Sequence, residues 1–451
     1  MRQHIELVQR HIEGRKDEVV SFLKDLVRTP SPIGRELKAQ KQIQKKLSSL
    51  GLSVDLFEAD LETLKNHPGH TPVDIRDHIP VKGRPNVVGT FKGSGGGRSL
   101  ILAAHVDHLP VGSRELWKHP PFAGQIDVGR MYGRGVANDK AGIAIMITSL
   151  EAILQCGLQP KGNMVLISAL GGRDFSEGES GGLLACAAKG YTADAALYLH
   201  PHEESTGLAE IAIASMGALN FRVIVTGKMA TPLHDVPHAV NAIDKAIYLI
   251  GALHDLDQRR NQHVRFELLE KALGRSTSLH ISIMKGGKPC AVGTVKKDGG
   301  PIQVPESCEV QGRVTFPPGE TAENVAKEIE AAIGEAARKD PWLQTHPPMI
   351  ERIYSRAEPA STDPEHPLIE CVKRHIAAVT GSNPSLSAMP CPSDIRFLVL
   401  YSGTPTVKFG PLGGGGDMPD EWVDVEDYVR AVKTTAAIIM DWCGTENKPG
   451  K

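Results

Sequence analysis

The sequence lacks the features of several other classes of protein. None of its apolar runs reaches the roughly 20 residues that span a bilayer. The formal net charge of −2 leaves no basic surface of the kind that binds nucleic acid or membranes. The seven cysteines are odd in number and form no CxxC pair, which indicates reduced thiols. The N-terminus, MRQHIELVQRHIEGRKDEV, is typical of a charged helix and not of a signal peptide. We therefore expect a cytoplasmic protein with neither nucleic-acid nor membrane partners.

What the sequence does contain is the pattern of an α/β protein. Its 451 residues are too many for one compact core, so two domains are expected. Helix-period and strand-period segments alternate through the first part of the chain. Strands are predicted at PNVVGTF, SLILAAH, NMVLISAL and DAALYLH, with the helix KAGIAIMITSLEAILQCG among them. This alternation predicts a mixed sheet with helices on both faces.

The pattern changes near residue 214. GALNFRVIVTG, SLHISIMKGG and CEVQGRVTF are predicted strands, and NAIDKAIYLIGALHDLDQRRN and TAENVAKEIEAAIGEAARK are predicted helices. They make a small α+β layer of normal domain size. The chain then returns to α/β character with HPLIECVKRHIAAVTG, TPTVKFG and VEDYVRAVKTTAAIIMDWC. We therefore predict a split α/β domain, residues 1–213 and 341–451, into which an α+β domain, residues 214–340, is inserted.

The first candidate site lies in LILAAHVDHLP, where an apolar run ends at His105 and Asp107 follows two residues later. Residues i and i+2 of a strand point to one face, so Asp107 can hydrogen-bond the imidazole of His105 and fix its tautomer. Histidines that bind metals usually have such a partner. The alternative is a half-buried strand with a polar end.

A second candidate lies in MYGRGVANDKAG, which sets Asp139 in a glycine-flanked turn directly ahead of a helix. A carboxylate there can bridge two cations, because one oxygen can bind each ion. The alternative is an N-cap, in which Asp139 accepts hydrogen bonds from the first helical amides.

Taken together, HVDHLPVGSRELWKHPPF and MYGRGVANDKAG resemble the metallopeptidase and deacylase family that includes acetylornithine deacetylase and succinyl-diaminopimelate desuccinylase. GGLLACAAKGYTADAALYLHP, VTGK followed by VNAI, and TPTVKFGPLGGGGDMPDEWV extend the resemblance over nearly the whole chain. It implies a metal-bearing α/β domain with an inserted α+β dimerisation (lid) domain, and hence a homodimer. It also implies hydrolysis of an amide bond by metal-activated water.

The resemblance implies a set of metal ligands, two of which depart from the family pattern. His105, Asp139 and Glu179 match. His200, in LHP, stands where the family has a carboxylate, and Asp417 stands where it has a C-terminal histidine. The two changes conserve the total of two histidines and three carboxylates. One metal would then bind His105, Asp139 and His200, which suits Zn²⁺. The other would bind Asp139, Glu179 and Asp417, an all-oxygen set better suited to Mn²⁺, Mg²⁺ or Ca²⁺.

The catalytic base is not in its usual place. The family has an acidic pair directly before SGG, but Gly178 precedes Glu179 in LGGRDFSEGESGG. Glu177 is the nearest candidate for the base, with Asp174 second. The alternative is that both are surface carboxylates.

The inserted domain also departs from the family. GKMATPLHDVPH has Thr231 where the family has a histidine that supports the oxyanion, with His234 and His238 as candidate replacements. Ile302 stands where the family has an asparagine. Arg313, in VQGRVTF, is retained and can bind a substrate carboxylate as a bidentate fork. Its alternative role is an ordinary strand-surface arginine.

These residues predict a two-metal amidohydrolase that acts on an N-acyl amino acid or a short peptide-like substrate. Asp107 supports His105, and Glu177 moves the proton. Two alternatives remain open: a repurposed metal site that catalyses acyl transfer or elimination, and a non-catalytic relative that binds a ligand or a partner protein.

Overall fold

The computed structural model describes residues 1–70, 81–172, 180–203, 206–230, 238–287 and 304–448. Contacts divide the chain into two compact units. The first consists of Met1–Ala214, Ala360–Ala388 and Ser393–Lys451, and the second of Ser215–Pro359 and Met389–Pro392. Among the described helices, none is long and apolar enough to cross a bilayer.

The helices are α1 (Arg2–Gly14), α2 (Lys16–Val27), α3 (Leu37–Ser49), α4 (Leu61–Leu64), α5 (Ala141–Gln155), α6 (Ala185–Ala188), α7 (Ala242–His263), α8 (Glu267–Leu273), α9 (Ala322–Lys339), α10 (Pro341–Thr345), α11 (Pro367–Thr380), α12 (Ile395–Tyr401) and α13 (Val425–Trp442).

The strands are β1 (Ser53–Phe57), β2 (Asn86–Phe91), β3 (Leu100–His105), β4 (Gln125–Asp127), β5 (Arg130–Tyr132), β6 (Leu158–Pro160), β7 (Met164–Ala169), β8 (Ala196–Leu199), β9 (His202–Glu203), β10 (Glu210–Ser215), β11 (Gly217–Thr226), β12 (Ser278–Gly286), β13 (Ser307–Phe316), β14 (Met349–Ala357), β15 (Ala360–Ser361), β16 (Ser385–Met389), β17 (Thr406–Phe409), β18 (Leu412–Gly414), β19 (Trp422–Asp424) and β20 (Thr445–Asn447).

The first unit is built on a mixed sheet with the strand order β1-β2-β7-β3-β8-β17-β10-β15, and β16 pairs with β10. Strands β7, β3, β8 and β17 run parallel at its centre. Every residue of these four strands is buried, as expected for parallel strands that are covered on both faces. Their carboxyl ends lie at one edge of the sheet, which is where α/β proteins usually place their sites.

Helices cover both faces of this sheet. Ile101 and Ala103 of β3 pack in a cluster with Ile395 and Phe397 of α12. Leu102 points to the opposite face because side chains alternate along a strand, and α5 contacts β3 there. The predicted fold class, a split α/β unit with an inserted α+β unit, is confirmed.

The second unit contains an antiparallel sheet with the order β12-β13-β11-β14. Alternate residues of β13 are buried, and those of its buried face pack with α7 and α9 in one apolar cluster. The unit extends to Pro359, whereas the inserted domain was predicted to end at residue 340. The difference arises because β14 hydrogen-bonds to β11 and so belongs to the sheet of the second unit.

A smaller sheet of the first unit, with the order β4-β5-β19-β18-β9, lies beside the carboxyl edge. Two connecting segments extend from this sheet. The turn from Gly133 to Lys140 links β5 to α5, and the segment 415–421 links β18 to β19.

Candidate metal centre

Three side chains with metal-binding atoms meet at the carboxyl edge of the main sheet. His105 is the last residue of β3, His200 directly follows β8, and Asp139 lies in the turn before α5. One potential ligand atom of each residue lies within 4.8 Å of those of the other two. His105 and Asp139 are fully buried, and His200 is half-buried. The cluster contains three of the five predicted metal ligands.

The backbone of the turn presents the Asp139 carboxylate to the two histidines. Asp139 has non-helical dihedral angles (φ −142°, ψ 38°), and a cis peptide bond joins it to Asn138. Helix α5 begins two residues later, and Lys140 occupies the N-cap position without a side-chain cap bond. Asp139 is therefore not the N-cap residue of α5, although the backbone N–H of Gly142 in the first turn of that helix lowers the pKa of its carboxyl group. Its Oδ2 accepts a hydrogen bond of 3.4 Å from the backbone N–H of His105.

Both histidines expose Nε2 to the cluster. His105 Nδ1 lies 3.1 Å from the carbonyl oxygen of Asp107 and 3.4 Å from its Oδ1, and His200 Nδ1 lies 2.8 Å from the carbonyl oxygen of Pro201. A proton on Nδ1 matches these acceptors, and in that tautomer Nε2 is the atom that can bind a metal. The two Nε2 atoms converge on the Asn138 side-chain oxygen, at 2.8 and 3.1 Å.

The charges of the site favour a bound cation. Burial raises the pKa of Asp139 well above its ordinary value, although nearby positive groups oppose this shift. Burial opposes protonation of His105, yet the carboxylates of Asp107, Asp139 and Asp394 raise its pKa to about 9. Among the described residues, Asp139 Oδ1 is buried and has no hydrogen-bond partner. A buried carboxylate oxygen that has no hydrogen-bond partner and lies beside two imidazole nitrogens fits a divalent metal ion. A donor set of two nitrogens and one oxygen fits Zn²⁺ in particular.

Two glycines allow these elements to approach closely. A Cβ on Gly172 would lie 2.3 Å from the His105 ring, and a Cβ on Gly142 would lie 1.7 Å from the carbonyl oxygen of Leu199. Gly172 also donates its N–H to Asp107 Oδ1 at 3.2 Å. Any side chain at these two positions would push the histidine or the first turn of α5 out of place.

Glu421, which the sequence analysis did not single out, holds the turn that carries Asp139. Its Oε1 accepts hydrogen bonds from the N–H groups of Ala137 (2.9 Å) and Asn138 (3.0 Å). Its Oε2 accepts from the N–H of Gly135 (2.9 Å) and from Arg134 Nη1 (3.1 Å). Burial raises the pKa of this carboxyl group, and the hydrogen bonds oppose that shift. The only sequence signal was its place in DMPDEWV.

Two further residues near the histidines, Tyr198 and Lys408, have no role predicted from the sequence. Tyr198 Oη donates to Asp394 Oδ2 at 3.4 Å, and its ring stacks on His200 with centroids 5.9 Å apart. Lys408, buried in β17, favours the ionised form of Asp139. These groups place a phenol and an ammonium group beside the cluster.

The other predicted site residues are not members of this cluster or lie outside the described residues. Asp417 has a left-handed backbone (φ 65°) and is not a member of the three-residue group. Asp420, in the same segment, accepts hydrogen bonds from the N–H groups of Lys118 and His119. Glu177, Glu179 and Asp174 lie outside the described residues, as do His234, Thr231 and Ile302.

Arg313 lies on the half-exposed face of β13. It stands in register with Asn220 of β11 on one side and His280 of β12 on the other. The side chain of His238 is exposed to solvent. Their roles toward a substrate stay predictions.

The chain is similar to several known proteins in sequence and in fold. The family model described as "Peptidase family M20/M25/M40" matches residues 101–441. N-formyl-4-amino-5-aminomethyl-2-methylpyrimidine deformylase of Halalkalibacterium halodurans is 26% identical over 475 aligned positions, which cover 97% of each chain. Aminopeptidase PepT from Bacillus cereus has a similar structure (TM-score 0.68, 19% identity, 94% of this chain and 98% of that chain). A dinuclear metal binding peptidase of Bacillus subtilis is also similar (TM-score 0.63, 16% identity, 96% and 99%).

Proposed function

The chain belongs to the peptidase family M20/M25/M40 and is a metal-dependent hydrolase of amide bonds; from that premise we propose that it removes a small acyl group from the nitrogen of a low-molecular-weight amine or amino acid. The observation that carries the proposal is the cluster of His105, Asp139 and His200 at the carboxyl edge. A full-length relative named as a deformylase supports the choice of a small acyl group.

In this proposal His105, Asp139 and His200 hold one divalent ion, Zn²⁺. When bound, the ion would act as a Lewis acid and would lower the pKa of a water molecule toward neutrality. The chain keeps the ligands ready for it. Asp107 keeps the proton of His105 on Nδ1, and Glu421 fixes the backbone from Gly135 to Asn138, directly ahead of Asp139.

Asp139, Glu179 and Asp417 are proposed to hold a second ion with all-oxygen ligands, of the Mn²⁺ type. Two features support a shared Asp139. Its Oδ1 is buried and has no hydrogen-bond partner in the described chain, and a family member with this fold binds two metals. Asp417, whose side chain stands in the place of the family's C-terminal histidine, completes the set.

Glu177 is proposed as the general base. It takes a proton from the attacking water and delivers it to the amide nitrogen, so that the products are a carboxylic acid and a free amine. Loss of such a base typically lowers the rate by about 10²–10⁴-fold. Asp174 is the second candidate.

Other features of the proposal rest on the family resemblance. Arg313 and His234 are assigned to the substrate, Arg313 as a fork for a carboxylate. The inserted unit is proposed to form a homodimer. A subfamily close to acetylornithine deacetylase and succinyl-diaminopimelate desuccinylase remains part of the proposal. The free thiols of the described cysteines support a cytoplasmic setting.

The direct test is release of free amine from a panel of substrates by protein loaded with Zn²⁺. The panel contains N-formyl aminomethylpyrimidine, N-formyl, N-acetyl and N-succinyl amino acids, and dipeptides. We expect turnover of one or more of the N-acyl compounds, with preference for a small acyl group. Cleavage of dipeptides alone would replace the deacylase proposal with a peptidase. No amine release from any member would favour the non-catalytic alternative.

The base is tested separately with Glu177→Gln and, as its matched control, Asp174→Asn. We expect Glu177→Gln to abolish turnover while metal content stays unchanged, and Asp174→Asn to retain it. Full turnover in Glu177→Gln would reject the assignment, and a loss confined to Asp174→Asn would transfer the role to Asp174.

A further inference from the structure

A second group of potential metal ligands lies between helices α11 and α13. Cys371 and His375 are one helical turn apart on α11, and Asp441 faces them from α13. A sulfur, an imidazole nitrogen and a carboxylate oxygen of these residues lie within 4.8 Å of one another. Cys371 and His375 are buried, and Asp441 is half-buried. An i, i+4 pair on one helix face is a spacing that metal sites use.

This group is remote from the candidate metal centre. Trp442, next to Asp441, donates its Nε1–H to the carbonyl oxygen of Ser99 at 3.0 Å and stacks under the guanidinium of Arg98. Ser99 directly precedes β3, whereas His105 ends it. With a rise of about 3.3 Å per residue, the two ends lie about 20 Å apart. The helix group therefore belongs to the opposite edge of the sheet.

Hydrogen bonds already converge on one atom of the group. Asp441 Oδ2 is bonded to His375 Nε2 at 2.8 Å and to Arg374, and the Cys371 thiol lies 3.6 Å from it. Burial and the nearby carboxylate raise the pKa of the Cys371 thiol to about 12. The thiol is therefore protonated at neutral pH and is not a nucleophile.

We propose that Cys371, His375 and Asp441 form a separate mononuclear zinc site that joins α11 to α13. Thiolate, imidazole and carboxylate are the ligands that Zn²⁺ prefers, and three protein ligands leave a fourth position for water. The half-exposed Asp441 gives that position access to solvent. On binding, the Cys371 sulfur loses its proton to solvent and forms the bond to the metal.

Arg374 competes with the metal at this site. Its guanidinium is bonded to Asp441 and is more than half exposed. A cation that binds Asp441 must displace or share this partner, so the site binds less tightly than a preformed one. Removal of the guanidinium should therefore strengthen metal binding.

The test is titration of chelator-treated protein with Co²⁺, monitored by absorbance. A thiolate bound to Co²⁺ gives a near-ultraviolet charge-transfer band. The ligands proposed for the catalytic site contain no sulfur, so the band reports the helix site alone. We expect a saturable band that develops after the tighter carboxyl-edge ligands have bound Co²⁺ and whose amplitude corresponds to one thiolate-bound Co²⁺ per chain. The band should be lost in Cys371→Ser and retained in Cys156→Ser. Zn²⁺ should abolish the band by displacing Co²⁺.

A second variant guards against a folding defect in Cys371→Ser. His375→Gln should weaken Co²⁺ binding in the band titration at least tenfold while the circular dichroism spectrum stays unchanged. Absence of the band in the wild-type protein, or its persistence in Cys371→Ser, would overturn the proposal. The group would then be a hydrogen-bonded contact between two helices. Neither outcome depends on amide hydrolysis, so this proposal can fail while the proposed function stands.

Discussion

The two three-residue groups of the first unit differ in how far their ligands are prepared for a metal. At the carboxyl edge, Asp139 Oδ1 is buried and has no hydrogen-bond partner among the described residues, and the turn that carries it is held by Glu421. Between the helices, Asp441 is half-buried and already bonded to Arg374 and His375. The comparison teaches that matching side chains alone do not define a strong site. A buried carboxylate oxygen with no hydrogen-bond partner favours a bound cation. A carboxylate that already has a partner exposed to water favours a cation less.

The largest effect is expected from Asp139, whose Oδ1 is buried and has no hydrogen-bond partner among the described residues. Asp139→Asn keeps the shape of the side chain but removes the charge that holds the cation. Because a metal ion supplies several kcal/mol of transition-state stabilisation, we expect kcat to fall by about 10³-fold or more, measured as amine release. The surface variant Asp25→Asn should retain full activity. Activity of Asp139→Asn within tenfold of the wild type would show that the carboxyl edge is not the catalytic centre.

A smaller effect is expected from Glu421→Gln, which tests whether Glu421 holds the turn that carries Asp139. Glutamine has one acceptor oxygen, so its amide group would face backbone N–H groups that Glu421 now binds. Residues that support metal ligands typically contribute about 10–100-fold to metal affinity or activity. We expect Zn²⁺ affinity and kcat to fall within this range while KM changes little. Glu365→Gln, on the surface, is the control, and a drop in melting temperature with unchanged Zn²⁺ affinity would assign Glu421 a purely structural role.

Asp107→Asn tests the orientation of His105. The amide retains a side-chain oxygen beside Nδ1 but removes a charge that raises the pKa of His105. We expect about a tenfold loss of Zn²⁺ affinity, at the low end of the usual range for such partners. Equilibrium dialysis against Zn²⁺ measures it. Unchanged affinity would mean that the backbone carbonyl of Asp107 alone fixes the imidazole.

The smallest effect is expected at the helix group. Because Arg374 is more than half exposed, its pair with Asp441 contributes about 0–1 kcal/mol to stability. Arg374→Ala should therefore lower the free energy of unfolding, measured in urea, by no more than about 1 kcal/mol. The same variant should bind Co²⁺ several-fold more tightly in the charge-transfer titration. Weaker binding would show that Arg374 supports the site instead of competing for it.

Local sequence patterns predicted much of this molecule. The buried parallel strands are continuous apolar runs, and His105 ends one of them. Asp139 lies just ahead of the apolar run of α5. Helix α5 could be predicted from its apolar composition. The sequence could not decide whether Asp139 is a metal ligand ahead of this helix or its N-cap residue. That distinction depends on the backbone dihedral angles of the turn.

Features built from distant segments could not be predicted in this way. Glu421 binds the N–H of Ala137 across 284 sequence positions, and no local pattern links the two. The Cys371–His375 spacing is visible in the sequence, but Asp441 joins it only because α13 packs against α11. Strand β14 was assigned to the wrong side of the boundary at residue 340 because only its pairing with β11 reveals its sheet.

We propose that the carboxyl-edge group holds a metal ion that amide hydrolysis requires. The most direct measurement is amine release from an N-formyl amine by the same protein before chelation, after chelator treatment with metal content checked by elemental analysis, and after addition of Zn²⁺ or Mn²⁺. We expect full loss of activity on removal of the metal, recovery on its return, and no recovery in Asp139→Asn. Hydrolysis at an undiminished rate by protein that contains no metal would contradict it.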